Sequence, residues 1–283
     1  MTTEPVRHWI EESPYTAALG VRARELARER VVLGLPFVES NSNPGKALHG
    51  GCAASLAAIG AHAVTRLVLG EESGPWHTCA LQVGYLAAAI DEDVVASATL
   101  LRVGKQLCFV AVEIATAAGK PIAHATSVVR ARLAAPHAEL RRSAGDEGAC
   151  DPGRMGPFIG QIPFIGARGI SVEHMAGGRS RLRMPFRAAN ADASGGVHEG
   201  ALLALLDTTG AMASWAETGP GRFKASTPAL QAQILAPAPK LDLVAYGRMK
   251  QRDGELLWSD AEIASAVDGR VFARGTVVYR IVA

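Results

Sequence analysis

The sequence has little that marks a specialised class. Its four cysteines, Cys52, Cys79, Cys108 and Cys150, form no CxxC pair, so neither a disulfide framework nor a zinc site is expected, and a reducing compartment follows. A surplus of one charge is also lacking. The 29 basic residues stand against 27 acidic ones, and a formal net charge of +2 does not point to nucleic acid as the main partner. A small anionic ligand stays open. The opening MTTEPVRHWIEESPY is acidic early and has no apolar run before a small-residue cleavage site, so no secretory signal is expected and the expected location is the cytoplasm. The longest apolar stretch, Leu48 to Leu69, carries His49, His62 and Arg66 and begins with glycines, which suits a buried helix rather than a membrane span.

What the chain does contain is a duplication. With 283 residues, 48% of them hydrophobic and 20% charged, it is a globular protein long enough for two domains. SPYTAALGV from Ser13 corresponds to IPFIGARGI from Ile162, and Pro14 to Pro163 is a step of 149. LPF at Leu35 and MPF at Met184 keep that offset, as do LHGGCAASLAA at Leu48 and VHEGALLALLD at Val197. LQVGYLAAA at Leu81 and LQAQILAPA at Leu230 keep it too, and one inserted residue carries VEIATAAGKPIAHATSVVR at Val112 to AEIASAVDGRVFARGTVVYR at Ala261. One offset held through successive blocks means two copies of one fold. We therefore expect domains at 1–133 and 158–283. The segment 134–157 between them, rich in Gly, Pro and charge, reads as a surface linker.

Within each copy the order is a short helix, an extended segment, one long apolar helix and four strand-like runs. In the first copy the helix spans Gly50 to Leu69, and the runs lie near Ala80–Ala88, Val94–Arg102, Leu107–Ala115 and Ile122–Arg132, with turn signals at Asp91, Gly104 and Gly119. Consecutive strands around one central helix predict an α+β copy with an antiparallel sheet. One such copy leaves an open edge, and pairing two about a pseudo-twofold axis closes it.

In this order and spacing, SPYTAALGV, NPGKALHGG at Asn43, LQVGYLAAA and the LRVGKQL turn at Leu101 resemble the hot-dog thioesterases of the phenylacetic-acid-degradation and 4-hydroxybenzoyl-CoA types. The resemblance spans both copies and implies a tandem double hot-dog fold and hydrolysis of acyl-CoA or aryl-CoA thioesters. CoA is part of the substrate, and no cofactor is implied. The family places an Asn six residues before the His, a glycine N–H after the His as oxyanion donor, and an acid nine residues after it. A Ser or Thr near the following sheet run often assists. The first copy keeps Asn43, His49 and Gly50 but has Ala58 at the acidic position. The second keeps Asp207 but has Asp192 and Glu199 where the first has Asn43 and Gly50.

An acid eight residues along a helix from its start lies about 12 Å away at 1.5 Å per residue. It cannot serve its own helix's N-terminus, whereas a partner helix packed antiparallel can. We therefore expect one working site per chain, built from Asn43, His49 and Gly50 of the first copy with Asp207 and Thr227 of the second. The mirror site, with His198, Glu199, Ala58 and Thr78, lacks the acid at that position. Asp207 would act as general base or as nucleophile on the carbonyl held by the Gly50 N–H. The plain alternatives are a helix-packing role for Asp207, a capping role for His49, a turn role for Asn43 and Gly50, and an ordinary strand role for Thr227.

For the CoA phosphates the candidates are Arg102, Lys105, Arg130 and Arg132, and the small Ala53, Ala54 and Ala57 leave room for an acyl group. His62, His77 and His124 have no histidine opposite them in the other copy and read as structural or surface residues, and no metal site is expected. Competing functions are another hot-dog enzyme such as an enoyl-CoA hydratase, or a non-catalytic acyl-CoA-binding protein. Within the thioesterases, chain length also fits the double hot-dog medium- and long-chain enzymes, while the HGG box favours the first family. No membrane partner is expected, and a homodimer or larger homo-oligomer is.

Overall fold

A computed structural model describes residues 3–131, 139–146, 148, 150–221 and 223–282. The first copy begins with α1 (Glu4–Glu12) and α2 (Pro14–Leu19), followed by β1 (Arg22–Ala27) and β2 (Arg30–Leu35). The long helix α3 (Gly50–Leu69) comes next, then β3 (His77–Tyr85), β4 (Val94–Val103), β5 (Leu107–Thr116) and β6 (Pro121–Arg130). The second copy repeats this plan with α4 (Gly156–Ile159), α5 (Pro163–Arg168), β7 (Ser171–Ala176), β8 (Arg179–Met184) and the long helix α6 (Glu199–Thr218). It ends with β9 (Lys224–Ile234), β10 (Leu243–Asp253), β11 (Leu256–Ser265) and β12 (Val271–Val282). This is the tandem hot-dog architecture: each copy wraps an antiparallel sheet around one helix.

The two sheets are continuous. Their joint order is β1-β2-β4-β5-β6-β3-β9-β12-β11-β10-β8-β7, and the join is the antiparallel pair β3–β9. Gln82 faces Gln231 there, which are equivalent positions of the two copies, so the pseudo-twofold axis crosses the sheet at that pair. The extended segment expected before each long helix is a two-stranded hairpin, β1–β2 or β7–β8. In β5 the alternation is clear: Cys108, Val110, Val112 and Ile114 are buried against the helix side, while Glu113 between them is exposed.

The two long helices pack against each other inside the sheet. A Cβ added to Gly51 would come within 2.7 Å of the Ala204 Cα, and one added to Gly200 within 2.8 Å of the Ser55 Oγ. Gly51 opposite Ala204 and Ser55 opposite Gly200 define an antiparallel register in which small residues let the backbones approach. Ser55 Oγ also donates to the Gly200 carbonyl at 3.1 Å across this crossing. Helix α3 is long and apolar enough to cross a membrane, but 83% of its apolar window is buried inside the protein, as expected of a core helix.

Of the segment read as a linker, residues 134–138, 147 and 149 lie outside the described residues, and its last two residues already belong to α4. The rest follows the second copy's sheet: Arg142 bridges to Arg270, and Arg179 binds Asp146 at 2.8 Å.

Candidate active site

The antiparallel crossing brings the third turn of α6 to the start of α3. Asp207, only 3% exposed, lies so close to Gly50 that an added Cβ there would stand 2.8 Å from the Asp207 Oδ2. A side chain at position 50 and this carboxylate would compete for one space, so glycine here is a packing requirement. Thr227, near the start of β9, donates from Oγ1 to Asp207 Oδ1 at 3.0 Å. Among the described residues nothing accepts from the Gly50 N–H. That amide is one of the free donors at a helix N-terminus and sits at the positive end of the α3 dipole.

His49 caps the helix. Its Nδ1 accepts from the Gly51 N–H at 2.9 Å, its ring stacks on Phe164 with centroids 4.5 Å apart, and burial pushes its pKa down to about 3. An Nδ1 that accepts from an amide carries no proton. The 3.8 Å approach of Asp207 Oδ2 to that nitrogen is therefore a contact with a neutral ring and not an ion pair. Burial raises the Asp207 carboxyl to about 6, while the Thr227 hydroxyl and the Gly51 amide pull the other way. The result is a carboxylate that is ionised at neutral pH and more basic than an exposed one, which suits proton abstraction from water. Asn43 is half-buried in the preceding turn, where its backbone N–H donates to the Ala47 carbonyl at 2.7 Å.

Tyr85 completes the site and was not foreseen. Its hydroxyl donates to the Gly50 carbonyl at 3.1 Å, and both burial and the Asp207 charge raise its pKa. Tyr279, whose hydroxyl accepts from the Trp215 indole at 3.1 Å, is pushed up to about 12 by burial, with the Asp207 charge adding to the effect. Tyr85 is recognisable in hindsight, since the second copy has Ile234 at the equivalent place.

The mirror site differs. His198 caps α6 through Gly200 as His49 caps α3, at the same 2.9 Å, but Glu199 replaces the glycine and Ala58 replaces the acid. The Glu199 carboxylate turns into the vacated space, accepts from the Thr78 N–H at 3.1 Å and meets His62 Nε2 at 3.0 Å. His62 is thus part of the second site and not merely a structural residue. His124 is a surface residue that binds Glu113 at 2.6 Å, and His77 is buried beside Cys79. Among the described residues no three His, Cys, Asp or Glu side chains gather as metal donors.

Strand register moves the basic candidates away from Asp207. In β3 the Thr78 end pairs with the end of β6, where His77 faces Arg130. The Tyr85 end lies beside Thr227, seven residues on and about 23 Å away at ~3.3 Å per residue. Arg130, with Arg102 and Lys105 at the β4–β5 turn, therefore belongs to the Glu199 end, and Arg132 lies outside the described residues. Near Asp207 the corresponding positions hold Lys224, Arg252 and Arg280, with Arg280 bound to Glu255 at 2.7 Å. Ala53, Ala54 and Ala57 are buried in the helix packing.

Residues 38–131 match the family described as acyl-CoA thioesterase N-terminal domain. No curated protein sequence matches the chain. Among solved structures, the tesB protein of Mycobacterium avium subsp. paratuberculosis is 11% identical with a TM-score of 0.67, over 97% of this chain and 100% of that one. Acyl-CoA thioesterase II TesB2 of Mycobacterium marinum is 13% identical with a TM-score of 0.61, over 96% and 97%. A protein of unknown function with hot-dog fold from Alicyclobacillus acidocaldarius is 16% identical with a TM-score of 0.64, over 89% and 93%. At such identities the structures show the hot-dog fold, and the family match, over less than half of the chain, is a likeness of residues 38–131 to an acyl-CoA thioesterase domain.

Proposed function

We propose that the thioester is hydrolysed at one composite site per chain, with the Gly50 N–H holding the carbonyl oxygen and Asp207 delivering the water. The observation that carries this reading is the juxtaposition of a buried carboxylate and an unused helix-start amide, contributed by different copies of the repeat. As the tetrahedral intermediate forms, negative charge grows on the carbonyl oxygen. A fixed N–H at the positive end of α3 stabilises that charge without reorganising. Asp207, with its pKa near 6, takes a proton from the attacking water, and Thr227 fixes one of its oxygens so that the other faces the substrate. Direct attack by Asp207 would instead break the C–S bond, expel the CoA thiolate and leave an acyl-aspartyl anhydride for water to cleave. In single-turnover hydrolysis in H₂¹⁸O, label found in Asp207 and missing from the acid product would show that route, with water entering at the Asp207 carbonyl.

His49 holds the loop by capping α3, and Asn43 shapes the turn that leads to it. The Asn–His–Gly box supports the finer likeness to the phenylacetic-acid-degradation and 4-hydroxybenzoyl-CoA types, with acyl-CoA or aryl-CoA as substrate. Cytoplasmic location, further self-association of the double hot-dog and the absence of a cofactor belong to the same proposal. Thiol release from a panel of acyl-CoA and aryl-CoA substrates, with Asp207→Asn beside the parent, is the test. Unchanged turnover in the variant would remove Asp207 from the mechanism, and sedimentation as a monomer would remove self-association.

A further inference from the structure

The mirror site is not an empty remnant. A cavity of about 170 Å³ opens there, with Trp9, Ile59 and Trp76 among its apolar walls and His62 and Glu199 at its polar end. Its walls are fixed. Arg66 lies between the Trp9 and Trp76 rings, 4.1 Å from each centroid, and Trp9 also stacks on His62 at 6.2 Å. Burial works against the Glu199 charge, yet His62 and Thr78 hold its pKa below the usual carboxylate value. A buried, fully hydrogen-bonded charge is an expensive way to fill a disused pocket when apolar side chains would serve.

The polar groups state what the pocket accepts. Glu199 is the first residue of α6, and among the described residues nothing accepts from its N–H, so the helix-start donor survives the loss of glycine. A neutral carbonyl oxygen can take that donor. A free carboxylate would face the ionised Glu199 and Asp192 on the same lining, while the one lining cation, Arg66, is already paired with Glu71 at 3.0 Å, so free acid is disfavoured. Catalysis is absent for two reasons. Ala58 stands where the first site has its acid, and the Glu199 oxygens are occupied by Thr78 and His62. His62 cannot relay a proton from Thr78 to Glu199, because both meet the same nitrogen, Nε2, at 3.1 and 3.0 Å. The volume equals roughly five to six waters at ~30 Å³ each, enough for a short acyl or aryl group.

We infer that this second pocket is a non-hydrolysing site for the carbonyl and acyl portion of a short-chain or aryl thioester, selecting intact thioester over free acid. The ligand class rests on the acyl-CoA reading of the first site. The probes are acetonyl-CoA and phenacyl-CoA, ketones in which a methylene separates sulfur from carbonyl so that no thioester bond can be cleaved. Calorimetric titration of Asp207→Asn is expected to give two equivalents per chain with at least one probe. The count should fall to one when Ala58→Leu, or separately Trp76→Ala, is added. One equivalent or none before those additions overturns the inference, and so do two that survive both. Hydrolysis by the parent chain, measured alongside, tells this failure from failure of the acyl-CoA reading: an active parent with a single equivalent sinks only the second pocket.

Discussion

The two ends of the α3–α6 crossing carry nearly the same parts in different places. At one end glycine begins the helix and the partner helix supplies the carboxylate, Asp207. At the other, the helix-start residue is itself the carboxylate, Glu199, and the partner position is Ala58. Both ends keep a capping histidine, a threonine on the neighbouring strand and a helix-start amide with no acceptor among the described residues. Where the acid is attached therefore decides its chemistry. Asp207 comes to the start of the other helix from across the crossing, with Oδ2 unclaimed by the strand threonine, whereas Glu199 folds back onto Thr78 and His62.

The comparison can be broken at several points. The largest effect is expected from Asp207→Asn, which should lower kcat by about 10²- to 10⁴-fold, the usual contribution of a positioned base, in a thiol-release assay. Next is Gly50→Ala. Its Cβ would stand 2.8 Å from the Asp207 Oδ2, and pushing the carboxylate aside should cost about 10²-fold in kcat, the penalty of a 1 Å misplacement. The equivalent change at the other end, Glu199→Ala, meets no such clash and should leave kcat near the parent's. A smaller loss, about tenfold, is expected for Thr227→Val, which removes one hydrogen bond to an ionised carboxylate.

That last variant also sharpens the pH argument. The parent's kcat/KM should rise as Asp207 ionises, with an apparent pKa near 6, and level off above it. Because Thr227 holds the Asp207 pKa down, Thr227→Val should shift this limb to higher pH. Stability runs in the opposite sense. A carboxyl whose folded pKa, about 6, exceeds its unfolded 3.8 carries no penalty below the lower value, when both states are protonated. The penalty grows between the two values and stays constant above, reaching on the order of 3 kcal/mol at neutral pH. Asp207→Asn should therefore raise the urea midpoint at pH 8 and not at pH 3.5.

Much of this was legible in the chain itself. The constant repeat offset yielded the two copies, and the apolar run with its glycine start yielded α3 from Gly50 to Leu69 as observed. The pairing of Gly50 with Asp207 was expected from the family's spacing, from helix rise and from an antiparallel crossing of the two long helices. The hairpins β1–β2 and β7–β8 were read only as extended segments, because strands such as RARELA and RSRLRM are short and crowded with charge. The basic residues offered for the CoA phosphates could not be placed relative to Asp207, since sequence does not reveal which strand ends meet at the β3–β9 join. Tyr85 was not singled out, and His62 was read as structural because no histidine stands opposite it. Both stand where the copies differ, opposite Ile234 and Ala211, and such differences are where two equal sites become unequal.

The presence of both copies in one polypeptide has a genetic consequence. In an assembly of identical subunits, a codon change from glycine to glutamate at the helix start would strike both sites together, and activity would vanish with the first mutation. Once the copies are stitched into one sheet within one polypeptide, each codon governs a single pocket, and one pocket can be altered while the other continues to work.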